Sequence, residues 1–325
     1  MSGERTDHGA ILVASDGKTS SAIDRGLDFL NGAVSGAGVW ECHHYALADP
    51  AVLLPDANPF VGALGSLELA GVDDPRAEAV LSRTRHHLGD TIEFPGVWRY
   101  WPHLPPDVDT TSICSLALGF HPWLLAGWNR ERLTRNRDGR GRFHTWLRDG
   151  PITSIDADAI VNANALAYLG ESAATRPTRD WLASLLQTGD ERQAIHYYWD
   201  PIDLYAAMAR AHQLQTPLFE DVRSLLAARI RDRREDDGSY GDLLRTARAL
   251  VSLHSVGCPP SRAELAASAR LLLMRQQRDG GWPACPLSSG PLWPEERRFA
   301  FASRCYDTAC CVAALHRARA MPGQR

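Results

Sequence analysis

The residues of this sequence best suited to chemistry stand together in Pro106-Asp107-Val108-Asp109-Thr110-Thr111-Ser112. Two carboxyls separated by one residue, with hydroxyls beside them, suit the movement of a proton. Burial and a neighbouring carboxylate both favour the protonated form. The segment also reads as the start of a helix, whose N-terminal partial charge favours the anion instead. Asp or Thr ahead of a helix is moreover the commonest N-cap. Further helical stretches begin near Asp158, Asp203, Asp242 and Asp307, and those four read as caps. For Asp109 to act as an acid, its carboxyl must be buried and Asp107 must lie close to it.

Positioning such a pair falls to a chain of 325 residues, long enough for one large core or two small ones. Its 35 basic and 39 acidic residues give a net charge of −4. That balance is too mild for nucleic acid or an anionic membrane surface as the main partner. The seven cysteines are odd in number and contain no C-x-x-C pair. They fit neither a disulfide framework nor a zinc ribbon, and point to a reducing cytoplasm. The N-terminus has no long apolar core of a leader, and no run reaches membrane-span length. Residues 1–18 read as a flexible N-terminal segment of a single domain spanning 1–325.

A Gly-x-aromatic turn recurs at Gly38-Val39-Trp40, Gly96-Val97-Trp98, Gly141-Arg142-Phe143, Gly238-Ser239-Tyr240 and Gly280-Gly281-Trp282. Successive glycines lie 42 to 58 residues apart except for one interval of 97, which predicts a degenerate sixth copy between Gly189 and Trp199. Periods of this length mark a repeated supersecondary unit. Helical stretches precede the turns near 20–34, 76–90, 123–135, 178–188, 219–233 and 261–277. Others, richer in small and apolar residues, follow near 60–71, 109–120, 157–170, 201–213, 242–255 and 305–318. The pattern predicts an all-α fold, an (α/α)6 barrel of about twelve helices with the second set inside. An open helical solenoid is the competing architecture.

Two of the turns carry more than a glycine and an aromatic. Leu271-Leu272-x3-Gln276-x3-Gly280-x-Trp282 is similar to the QW motif of squalene–hopene cyclase and its relatives. Arg25-Gly26-x2-Phe29-Leu30-x7-Gly38-x-Trp40 keeps the same frame with Val34 in place of the glutamine. The segment from Asp107 to Ser112 resembles the D-x-D-D acid motif of class II terpene cyclases. It resembles still more the D-x-D-T-T variant of bacterial drimenyl diphosphate synthases, and a single barrel is similar to the monodomain meroterpenoid cyclases. Haloacid-dehalogenase phosphatases share the pattern D-x-D-x-T, but theirs follows a buried β-branched strand. Trp98-Arg99-Tyr100-Trp101-Pro102-His103-Leu104-Pro105-Pro106 cannot form one.

The resemblance implies a terpenoid cyclase/prenyltransferase toroid and an enzyme: a class II cyclase, isomerase or lyase by reaction class. Such an enzyme starts a carbocation cascade by protonating an alkene or epoxide of a linear isoprenoid. Carried over, Asp109 is the donor, Asp107 sits beside it, and Thr110 or Thr111 holds a hydrogen bond to the carboxyl. Aromatic faces stabilise cations, and the candidates are Tyr100, Trp101, Tyr197, Tyr198, Trp199 and Tyr205. Trp98 reads instead as the seal of its turn. Asn162 and Asn164 interrupt an apolar run. A buried Asn normally satisfies backbone groups; the alternative places one of them at the substrate, holding a deprotonating water. Arg304, at an inner-helix start, is the candidate for a substrate headgroup.

Protonation requires no cofactor, although a diphosphate substrate would bring Mg2+. Glu235-Asp236-Asp237 is the run to consider for it, but acidic residues before a turn read as a solvated loop. Protein prenyltransferases of the same toroid hold zinc through Asp-x-Cys and a distant His. Cys305-Tyr306-Asp307 reverses that order and His316 lies near the end of its helix, so zinc is not expected. The partner implied is a linear isoprenoid or prenylated small molecule. The resemblance also leaves room for a homodimer and for weak membrane association during substrate uptake. Two other functions stay open: a barrel that binds isoprenoids or a protein without chemistry, and an inverting glycosidase. The last needs two carboxylates roughly 6.5–9.5 Å apart in an open cleft.

Overall fold

A computed structural model describes residues 7–147, 157–215, 217–289 and 299–319. Its helices follow the repeat in outer–inner pairs. The outer α1 (Asp7–Ala33) is followed by the inner α2 (Pro59–Leu69), and the outer α3 (Pro75–Thr91) by the inner α4 (Val108–Leu118). The third outer position is split at Gly127 into α5 (Pro122–Leu125) and α6 (Trp128–Arg135), ahead of the inner α7 (Ala159–Leu169). The remaining pairs are α8 (Arg176–Thr188) with α9 (Pro201–Leu214), α10 (Arg223–Arg231) with α11 (Leu243–Ser255), and α12 (Arg262–Arg275) with α13 (Arg304–Arg319). Each inner helix packs on the next and α13 returns to α2, so the inner ring is closed and the solenoid alternative fails. Helix α1 begins at Asp7, well ahead of position 20. Among the described residues no helix is long and apolar enough to cross a membrane.

Composition separates the two rings. In α7 every residue except Tyr168 is buried, as expected for a helix enclosed on all sides. Outer α8 buries one stripe, Thr178, Leu182, Ala183, Leu185 and Leu186.

The turns share one geometry. In five copies the residue three before the glycine donates its N–H to the carbonyl after the glycine and accepts the glycine's own N–H. The pairs run from Ser35 with Val39 and Gly38 to Gln277 with Gly281 and Gly280. These glycines have φ between 79° and 101°, a region that a Cβ disfavours. The aromatic two residues on is buried in every copy. In four copies its backbone N–H is accepted by a side chain one turn into the next inner helix: Trp98 by Thr111, Phe143 by Asn162, Tyr240 by Thr246, Trp282 by Thr308. The degenerate copy departs from this, since Gly189 ends α8 and a 3-10 turn, Glu191–Ala194, replaces the paired bonds. At the seam of the ring, Gln276 Nε2 donates to the carbonyls of Ala22 and Gly280, each at 2.8 Å.

The sequence pattern did not anticipate strands. β1 (Cys42–Ala46), β2 (Asp49–Asp56), β3 (Pro286–Ser289) and β4 (Phe299–Ala302) form an antiparallel sheet in the order β2-β1-β4-β3. His43 stands opposite Ala302 and His44 opposite Phe301. The sheet joins the loops of the first and last repeats and leads into α2 and α13. It lies beside the barrel, and the core remains helical.

Candidate active site

The N-terminal ends of the inner helices and the loops before them enclose a cavity of about 540 Å³, its open mouth included. Among the described residues, seven aromatic side chains line it: Phe60, Tyr100, Trp101, Trp146, Tyr197, Tyr198 and Phe301. The sheet sets much of this wall. Phe301 of β4 lies 5.6 Å from the Tyr100 ring and 5.5 Å from Trp101. Asp56, the last residue of β2, accepts from Trp101 Nε1 at 2.6 Å and from the Tyr100 hydroxyl at 3.4 Å. Asn58, the N-cap of α2, holds Asp56 in turn. On the opposite side, Trp146 Nε1 donates to the Tyr197 hydroxyl at 3.1 Å.

Both aspartates line the cavity. Asp107 is the N-cap of α4; its Oδ1 accepts the Thr110 N–H at 2.6 Å, while its buried Oδ2 has no partner among the described residues. Asp109, in the first turn, is 8% exposed. The Tyr198 hydroxyl donates to its Oδ2, and Asn164 Nδ2 donates to its Oδ1 at 2.8 Å. Burial raises the Asp109 carboxyl to about 6; the two donors and the Arg210 cation pull it down, and Asp158 adds to the rise. Burial raises Asp107 to about 7, with the charge of Asp109 adding and the Thr110 amide opposing. Desolvation therefore outweighs the helix N-terminus, and both groups hold protons far above the ordinary carboxylate range. An acid kept dry in this way, yet supplied with donors for its conjugate base, is equipped to give its proton to a weak base.

The other candidates divide. Tyr100, Trp101, Tyr197, Tyr198 and Thr110 line the cavity. Tyr205 does not; it is buried behind the wall, where its hydroxyl donates to Glu191 at 3.1 Å. Asn162 is likewise withdrawn as a substrate residue. Its Oδ1 accepts the Phe143 N–H at 2.7 Å and its Nδ2 donates to the carbonyls of Phe143 and Asp158, so it does for its turn what threonine does elsewhere. Arg304 faces the outside of the last turn, bonded to Asp279 at 2.9 Å and stacked on Phe29 at 4.8 Å. It is no part of the cavity wall.

The four expected caps also divide. Asp242 caps α11, and Asp158 caps α7 while its Oδ2 accepts the N–H groups of His196 and Tyr197, fixing the segment that carries Tyr198. The cap of α9 is Asp200, with Asp203 completing its capping box and pairing with Arg245 and Arg248. Asp307 accepts the Cys285 N–H at 3.0 Å, and burial raises it to about 8. Glu235 and Asp237 bond Ser239 in an exposed turn. Among the described residues no group of three His, Cys, Asp or Glu is placed to hold a metal.

Sequence reasoning passed over Phe60, Trp146, Ser288, Ser289 and Phe301 in the wall, and Arg210 and Glu68 behind it. A signal existed for Trp146, which follows Phe143 by the same three residues that separate Trp101 from Trp98. Phe301 arrives on a strand from the far end of the chain, and no local pattern points to it.

No family model and no curated protein matches this chain. Solved structures do. A protein from Actinoplanes superimposes with a TM-score of 0.72 at 18% identity, over 93% of this chain and 100% of its own. The type II terpene cyclase MstE from Scytonema, as a variant bound to its substrate geranylgeranyl dihydroxybenzoate, gives 0.70 at 18% identity, over 94% and 99%. Another variant of that cyclase, bound to its product merosterolic acid A, gives 0.70 at 19% identity, over 95% and 99%. At these identities the likeness is one of fold: the chain adopts the helical toroid seen in a type II terpene cyclase.

Proposed function

We propose that this protein is a class II cyclase, an isomerase that protonates a linear isoprenoid from Asp109 and closes it into rings. The observation that carries this reading is a single arrangement: a buried carboxyl, raised to about 6, facing a cavity walled by aromatic rings. The O–H proton of Asp109 moves to a terminal alkene carbon or epoxide oxygen, leaving a carboxylate and a carbocation. Tyr198 and Asn164 already point at the oxygens that become negative, so their bonds strengthen as charge develops. The remaining alkenes attack the cation in turn, and the faces of Tyr100, Trp101 and Phe301 stabilise it without reacting. Loss of a proton to water ends the cascade and a solvent proton restores Asp109, so product and substrate have equal mass.

A prenylated aromatic is the substrate class we favour, because the structurally similar MstE binds geranylgeranyl dihydroxybenzoate. The test is incubation with farnesyl and geranylgeranyl diphosphates, both with Mg2+, and with prenylated aromatic acids, followed by mass spectrometry. A cyclised isomer of unchanged mass is expected. Tight binding with no turnover of any of them would leave a non-catalytic barrel.

A further inference from the structure

The polar chain that holds Asp109 continues beyond it. Asn164 lies on α7, Arg210 on α9 and Glu68 near the end of α2, so one row of side chains links four inner helices with Asp109 on α4. Arg210 Nη1 donates to Asn164 Oδ1 at 2.9 Å, and Nη2 donates to Glu68 at 3.2 Å. Glu68 and Asn164 are both buried. A guanidinium offers donors only, whereas an amide offers one side of each kind. With its oxygen turned to Arg210, Asn164 must present its NH2 group to Asp109. Without that cation the amide is free to turn over and set its oxygen against the carboxyl.

We propose that Arg210 is a positioning residue for the acid: by fixing the sense of the Asn164 amide it keeps a donor on Asp109 and makes Asp109 a stronger acid than burial alone would leave it. This rests on the reading of Asp109 as the proton donor. Glu68 balances the Arg210 charge inside the barrel and holds the guanidinium in place. Among the described residues, the other titratable groups around Asp109 are Asp107 and Cys114 on its own helix segment, Asp158 at the start of α7, and Tyr198 from the loop before α9. None of these is altered in the variants below.

The experiment is a 13C NMR titration of the Asp109 carboxyl, its signal assigned by loss in Asp109→Asn. It compares the wild type, Arg210→Lys, Glu68→Gln, and the double variant Arg210→Met/Glu68→Gln, which strands no buried charge. In the double variant the midpoint should rise by about one unit, because a donor and a nearby cation are both lost. Arg210→Lys, still a donor and a cation, should stay near the wild type, and Glu68→Gln alone should move down. Where turnover is measured, the double variant should lose kcat about tenfold with KM unchanged, the mark of a poorer proton donor. Should the double variant not fold, Arg210→Gln takes its place with the same direction expected. A folded variant whose Asp109 titrates as in the wild type overturns the proposal, whatever turnover does. If Asp109→Asn keeps its turnover, the acid reading fails instead, and the titration still decides the role of Arg210.

Discussion

At the scale of single residues, the two readings of Asp109 separate in one substitution. An amide fills the space of the carboxyl, and the Tyr198 hydroxyl can turn to accept from it, so Asp109→Asn should fold normally by circular dichroism. It supplies no acidic proton, and turnover should fall by roughly 10²–10⁴-fold. A purely structural Asp109 would behave differently, since the amide keeps partners for Tyr198 and Asn164; undiminished turnover would assign it that role, the cap of α4 being Asp107. The pH dependence has a definite sign. The donor must be protonated in the free enzyme, and its carboxyl is raised to about 6, so kcat/KM should be level below that pH and fall above it. A profile that rises from pH 6 to pH 8 would mean that the ionised form does the work.

At the scale of elements, the inner ring was legible because its composition differs from that of the outer ring. Helices α2, α4, α7, α9, α11 and α13 all lie within a few residues of their expected bounds. The sheet was not legible, because Pro50, Pro55 and Pro286 punctuate its strands and the pairing of β1 with β4, which unites the two strand pairs, crosses the seam of the ring. The candidate site was read unevenly for a related reason. Asp107, Asp109, Tyr100 and Trp101 sit in one local stretch, whereas Phe301 and Arg210 reach them from a strand and a helix elsewhere in the chain. Of the two readings of Asn162, the structure follows the backbone one: the side chain completes a turn. Its threonine counterparts supply the test. Asn162→Thr should keep the Phe143 N–H partnered and cost little. Asn162→Leu should lower stability by roughly 1–3 kcal/mol, because a buried N–H and carbonyl lose their partner. Equal melting temperatures for the two variants would remove the analogy between repeats. Gln276→Ala strips two buried carbonyls at the seam, and a loss of roughly 1–3 kcal/mol is expected there too; an unchanged melting curve would count against the seam's dependence on it.

For the whole molecule, the closed ring creates an interior in which Asp107, Asp109 and Asp307 keep protons that the unfolded chain releases, while Asp203 stays ionised against Arg245 and Arg248. Asp307, fully buried in the first turn of α13, is raised to about 8 mainly by that burial. A folded-state value above the unfolded one means that the folded chain binds more protons. The contribution to stability is therefore complete at low pH and is lost as pH rises through about 8. Asp107 acts in the same direction near 7. Four histidines act oppositely: burial lowers His87, His212, His254 and His316, so the folded state disfavours their protonation and gains stability as pH rises through the ordinary histidine range. A single stability curve mixes these effects, and the informative quantity is a difference. Asp307→Asn keeps an oxygen for the Cys285 N–H but removes the titration. Between pH 6.5 and pH 8.5 the wild type should lose about 1–2 kcal/mol relative to this variant, a few degrees in melting temperature at most. Histidine effects cancel between the two proteins, because neither the histidines nor their surroundings change. A difference that stays flat over this range would show that Asp307 ionises freely in the folded barrel, and that the first turn of α13 is wetter than its burial implies.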